Sequence, residues 1–116
     1  AFGVVVNAPI SDEVISRIKQ VVDIPVIATI VSERMDIRSR IEAGADFLNV
    51  SGAAATPQII RSIRAQFPDV PILATGGPNE KTILETIHAG ANAITYSPPS
   101  NGELFANIMQ KYRGKL

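Results

Sequence analysis

The chain has no cysteine and no tryptophan, a single histidine, and only 5% aromatic residues. Without cysteine, disulfides and thiolate metal sites are excluded. No sign of charge prevails either: 11 basic side chains stand against 11 acidic ones. Binding a phosphate backbone needs a basic surface, and binding anionic lipid needs a basic patch. No nucleic acid and no membrane partner is therefore expected. No apolar run approaches the roughly 18 residues of a membrane span, and no signal peptide is visible. A cytoplasmic protein is the expectation. No group of His, Asp and Glu has metal-ligand spacing, so neither a metal nor another cofactor is expected.

What is present is an apolar, evenly punctuated chain. Its 116 residues are 46% hydrophobic, which fits one domain spanning 1–116 with a single core. The first residues, Ala1-Phe2-Gly3-Val4-Val5-Val6, already read as a strand. The expectation is a trimmed chain or a piece of a longer protein.

Five short apolar runs are rich in Val, Ile and Leu: Phe2–Val6, Pro25–Val31, Phe47–Val50, Pro71–Thr75 and Ala93–Tyr96. The strongest do not alternate with polar residues, the pattern of strands buried on both faces of a parallel sheet. Between them apolar residues recur at helical spacing. Val14, Ile15, Ile18, Val21 and Val22 form one stripe, and Ile59, Ile60, Ile63 and Phe67 another. Ile83, Leu84 and Ile87 follow, then Leu104, Phe105, Ile108, Met109 and Tyr112, with a weaker helix on Ile37 and Ile41. Helix starts are marked at Ser11-Asp12-Glu13, at Thr56-Pro57, and by a capping box at Ser100–Glu103. Gly44 and Gly90 read as helix stops.

Strand–helix alternation with short loops implies an α/β fold: five consecutive βα units on a parallel sheet. Two architectures fit five units. One is an open three-layer sheet of flavodoxin type. The other is a partial TIM barrel, whose full form has eight strands.

The chain also repeats itself. Asp23-Ile24-Pro25-Val26-Ile27-Ala28-Thr29 aligns with Asp69-Val70-Pro71-Ile72-Leu73-Ala74-Thr75, and Ala43-Gly44-Ala45-Asp46 aligns with Ala89-Gly90-Ala91-Asn92. Earlier positions match too, Phe2 with Phe47 and Ile15 with Ile60. The expected repeat is residues 2–46 and 47–92, each strand–helix–strand–helix, with a third copy begun at 93.

The stretch Pro71-Ile72-Leu73-Ala74-Thr75-Gly76-Gly77-Pro78 through Ala89-Gly90-Ala91-Asn92-Ala93-Ile94 resembles the phosphate-binding TIM-barrel enzymes. These include the 2-keto-3-deoxy-6-phosphogluconate aldolases and the ribulose-phosphate-binding barrels. More loosely, the chain is similar to a group of Gram-positive bacterial proteins classed as hydrolases, although none of its residues supports hydrolysis alone. The barrel resemblance implies that this pair of strands is the last pair of such a barrel. It also implies a small phosphorylated or carboxylated metabolite as partner. The chain departs from that pattern at Thr95-Tyr96-Ser97-Pro98-Pro99, where the family's last strand usually ends in glycine.

In parallel α/β folds ligands meet the carboxyl ends of strands. Gly76 and Gly77 let a ligand approach the backbone and aim N–H groups at it, and Ser97 would complete an anion cradle. Asn7, Asn49, Ser51 and Thr75 are further strand-end ligand-binding candidates, placed to hydrogen-bond a substrate or one another. Glu33 is the carboxylate next to a strand end, hence the candidate catalytic base. The lysines Lys19, Lys81, Lys111 and Lys115 fall on helices or the tail, which argues against a Schiff base within this chain. The arginines of the second and third helices read as solvated faces.

The residues leave open whether the chain is catalytic. The first expectation is the metabolite-binding domain of a barrel-type enzyme, in which missing groups come from elsewhere. The alternative is a non-catalytic ligand-binding or regulatory α/β module. A homo-oligomer that covers the sheet edges is a further expectation.

Overall fold

The computed structural model describes residues 1–77, 79–96 and 101–114. Five strands alternate with helices along the chain. They are β1 (Val4–Val6), α1 (Asp12–Val21), β2 (Val26–Ile30), α2 (Ile37–Ala43) and β3 (Phe47–Val50). A short 3-10 turn at Ala53–Ala55 leads into α3 (Thr56–Gln66), then β4 (Ile72–Thr75), α4 (Glu80–Ala89), β5 (Ala93–Thr95) and α5 (Asn101–Gly114).

All neighbouring strands are parallel, and the sheet order is β1-β2-β3-β4-β5. This order decides between the two architectures left open by the sequence. A flavodoxin-type sheet reverses direction next to its first strand and carries helices on both faces. Here every strand joins its successor, so right-handed crossovers lay the connecting helices α1–α4 on one face, while Phe105, Ile108 and Tyr112 of α5 are exposed rather than packed on the sheet as their stripe predicts. That is an arc of a barrel, and the flavodoxin-like alternative is wrong. Consistent with one helical layer, α1 packs on α2 and α3 on α4.

Strand parity separates the two faces. Val6, Val26, Ala28, Ile30, Leu48 and Val50 are buried under the helices, as are Ile72 and Ala74. Ile15, Ile59, Ile60 and Ile63 of the helical stripes close this core from above. The opposite face carries Val5, Ile27 and Phe47 in one register row, then Thr29, Asn49, Leu73 and Ala93 in the next. Burial on both faces holds only for β2; Val5 is 56% exposed on β1, and Ala93 and Thr95 are exposed on β5. Burial on both faces needs neighbours on each, and the outer strands lack them on one side.

Local signals set the helix ends. Ser11 caps α1 by accepting the Val14 amide, and Asp36 caps α2 by accepting that of Ser39. Gly44 and Gly90, at φ +121° and +118°, close α2 and α4 in a conformation that L side chains rarely adopt. Thr56 is not the cap of α3: it is the helix's first residue, and its hydroxyl accepts the Gly52 amide at 2.9 Å. A capping box does occur, at Asn79 and Thr82 of α4. The box expected at Ser100–Glu103 lies outside the described residues.

Two arginines expected on solvated faces are structural. Arg40 donates to the carbonyls of Ala8 and Ile10 and pairs with Asp12 at 3.1 Å, binding α2 to the loop after β1. Arg64 donates to the carbonyls of Gly90, Pro68 and Val70 and to the Asn92 side chain. A guanidinium fork reaches several carbonyls at once, and an exposed position on the helical stripe gave no sign of it.

Candidate functional site

Because the strands are parallel, their carboxyl ends form one rim. On the face away from the helices this end is polar: Thr29, Asn49, Ser51, Thr75 and Thr95 succeed the apolar Val5, Ile27 and Phe47 nearer the amino ends. The Asn49 amide donates to the Thr29 hydroxyl at 3.3 Å. The Thr75 hydroxyl donates to that of Ser51 at 3.4 Å. Three candidates, Asn49, Ser51 and Thr75, are thus brought together across β3 and β4. Asn7 follows β1 on the same rim, exposed to solvent, with its carbonyl accepting the Ile10 amide. Thr29 and Thr95 escaped sequence reasoning. Both sit inside strands that read as apolar runs, and only register shows which face they occupy.

Above this rim a cavity of about 380 Å³ opens between the loop after β3 and the loop after β4. Ala53, Ala54, Gly76, Gly77, Thr82 and Thr86 are among its walls. Two backbone positions here lie in the left-handed region, Gly77 at φ +81° and Ala53 at φ +53°. For alanine that conformation is strained, and such strain concentrates at ligand sites. No signal in the sequence singled out Ala53.

The two glycines play different parts. Gly76 is buried, and its amide donates to the Thr95 carbonyl at 2.8 Å, continuing the β4–β5 ladder. A Cβ there would stand 2.5 Å from Ile94 Cγ2 and 2.9 Å from Ile83 Cγ1. The expectation that Gly76 offers its N–H to a ligand is therefore corrected: this glycine lets α4 and β5 pack. Gly77 fits the expected role better, since its amide has no acceptor among the described residues. A Cβ on Gly77 would meet Thr82 Oγ1 at 2.5 Å. Next to it, the Asn79 side chain and the Thr82 amide close the cap of α4, and the amides of Glu80 and Lys81 begin the helix.

Ser97, the other expected member of the cradle, lies outside the described residues. Glu33 is placed elsewhere. It is an exposed loop residue three positions before the α2 cap, and it lines a groove of about 420 Å³ between α2 and α3 with Arg38, Ser62 and Gln66. It forms no part of the cavity at Gly77. His88 is exposed in the last turn of α4. Among the described residues no group of His, Asp and Glu is placed to hold a metal. None of the described helices is long and apolar enough to cross a membrane.

No family model and no curated protein matches the chain. Solved structures do match. A native KDPGal structure is 24% identical with a TM-score of 0.67, over 84% of this chain and 47% of its own. A protein described as a phosphonomutase, from Burkholderia cenocepacia J2315, is 20% identical with a TM-score of 0.62, over 98% of this chain and 56% of its own. A cube-shaped, highly porous protein cage, designed by fusing symmetric oligomeric domains, is 25% identical with a TM-score of 0.63, over 79% of this chain and 34% of its own. The chain thus spans between a third and a little over half of these structures. Together with the strand order, the likenesses establish the fold as an arc of the TIM-barrel type.

Proposed function

We propose that the chain is the ligand-binding arc of a barrel-type enzyme that holds a small phosphorylated or carboxylated metabolite at the β3–β4 rim. The observation that carries this reading is one cavity lined by Thr75, Gly77 and Thr82 of the first turn of α4, with the Ser51 hydroxyl bonded to Thr75 at its edge. An oxyanion takes hydrogen bonds from backbone N–H groups and gains from the positive end of a helix dipole. Solved structures described as KDPGal and as a phosphonomutase share the fold, which favours an anionic metabolite over other small molecules. The chain's own groups nearest Gly77 are neutral hydroxyls and amides, and Glu85 is the charged side chain of the cavity wall. The hydroxyls and amides bind and orient a ligand, while proton transfer falls to groups contributed from outside the described residues.

The test is a thermal-shift titration of the chain with inorganic phosphate and with sugar phosphates, repeated on Ala54→Asp. Ala54 is exposed at the cavity wall, so the substitution adds a negative charge without touching the core. Stabilisation by phosphate that disappears in the variant is the expected result. An equal shift in both proteins would rule out binding at this cavity.

A further inference from the structure

A second and larger cavity, of about 700 Å³, lies on the same rim between the loop after β1 and the first turns of α2. Its walls stand at stations equivalent to those of the cavity at Gly77. Ser11 precedes Thr56 by 45 residues, while Val31, Asp36, Ser39 and Arg40 precede Gly77, Thr82, Glu85 and Thr86 by 46. The chemistry at those stations differs. Where the later cavity has glycine and two threonines, this one has Val31, Asp36 and Arg40.

Its polar and apolar groups are arranged by charge. Arg40 is held rigidly, with its side chain only 12% exposed, by bonds to the Ala8 and Ile10 carbonyls and to Asp12. Those bonds leave its Nε–H and one Nη2 hydrogen without an acceptor among the described residues. One turn earlier on the same helix face, Asp36 Oδ1 accepts the Ser39 amide. Its second oxygen has no partner among the described residues. A cation and an anion are thus presented four residues apart, on neighbouring points of one helix surface. Pro9, Ile10, Val31 and Met35 supply an apolar floor beside them.

We propose that this cavity binds a small zwitterion with an apolar substituent, of the α-amino-acid type. The ligand's carboxylate meets the Arg40 guanidinium, its ammonium meets Asp36, and its side chain covers Val31 and Met35. A lone phosphate fits worse: Val31 lacks glycine's freedom to bring the backbone close, and Asp12 and Asp36 repel a dianion. The site is independent of the anion site at Gly77.

The test is an NMR titration of the isotope-labelled chain with L-leucine, with 4-methylpentanoate, which lacks the ammonium, and with 3-methylbutylamine, which lacks the carboxylate. Saturable shifts of the Val31, Met35 and Ser39 amides by leucine are expected. Each half-ligand should bind about tenfold more weakly, as befits the loss of one charge-assisted hydrogen bond. Asp36→Asn preserves the helix cap, since asparagine caps as well as aspartate. It should weaken leucine by a similar factor while leaving the spectrum folded. Unresponsive amides at these three residues, half-ligands that bind as tightly as leucine, or an Asp36→Asn chain with unchanged affinity would each overturn the proposal.

Discussion

The Lys19 ammonium lies 2.7 Å from Asp46 Oδ2, and the same oxygen accepts the Val26 amide at 2.8 Å, so one carboxylate joins α1, the start of β2 and the start of β3. Farther along, Asn92 Oδ1 takes the Ile72 amide at 2.8 Å and a bond from Arg64. The bonded positions recur at spacings of 45 and 46 residues, the offsets at which the sequence aligns with itself.

This contact makes stability depend on pH. Partial burial pushes the Asp46 carboxyl up, but the Lys19 hydrogen bond, the Val26 amide and the Lys19 charge outweigh it and hold its pKa below the ordinary 3.8. A depressed carboxyl stabilises the fold above its unfolded-state pKa and loses that contribution as pH falls through the folded one. Urea unfolding should therefore show stability dropping as pH falls below about 4. Asp46→Asn keeps the acceptor for Val26 and loses the ion pair. It should cost no more than about 1 kcal/mol at neutral pH, because the pair is partly exposed. An acid limb as steep as that of the parent chain would show that Asp46 is not its source.

Arg64 should be far less replaceable than Lys19. Three backbone carbonyls and Asn92 depend on its planar fork, and lysine is a point charge on a flexible stem. Arg64→Lys is expected to cost about 1–3 kcal/mol through carbonyls left unsatisfied. Lys19→Arg should fall within about 0.5 kcal/mol of the parent, as surface substitutions usually do. Denaturant midpoints of the two variants decide this; equal midpoints would contradict the distinction.

The strain at Ala53 can be relieved. With φ at +53°, its methyl disfavours the backbone that the loop after β3 adopts. Ala53→Gly should raise the unfolding free energy by about 0.5–1 kcal/mol, less the extra chain entropy of glycine. A lower stability than the parent's would mean that the loop does not hold this conformation in solution.

Gly76 is a packing position and reports on stability before it reports on ligands. Gly76→Ala drives a methyl into Ile94 and Ile83 and should destabilise by about 1–3 kcal/mol, as overpacking does. Calorimetry without any ligand is the check. An unchanged melting temperature would mean that α4 and β5 do not meet as described.

The rim was legible from strand ends alone. Ser51 and Thr75 follow or close apolar runs, so a parallel sheet had to bring them to one side, and their hydroxyls do meet. Glu33 shows the limit of such reasoning. It is also close to a strand end, yet the chain turns after β2 and leaves it beside Arg38 and Gln66. Distance along the chain from a strand end does not say which way a loop points.

By itself the sequence determined the local structure. Apolar period, Ser11 as a cap, and Gly44 and Gly90 as stops dictate five strand–helix units, because these preferences act within a few residues. Only tertiary structure decided the order of the strands, the split of β2–β5 into a helix-covered face and one polar at its carboxyl end, and the distinct work of Gly76 and Gly77. Those depend on contacts between residues distant along the chain, Thr95 with Gly76 and Ala8 with Arg40 among them, which local spacing does not record.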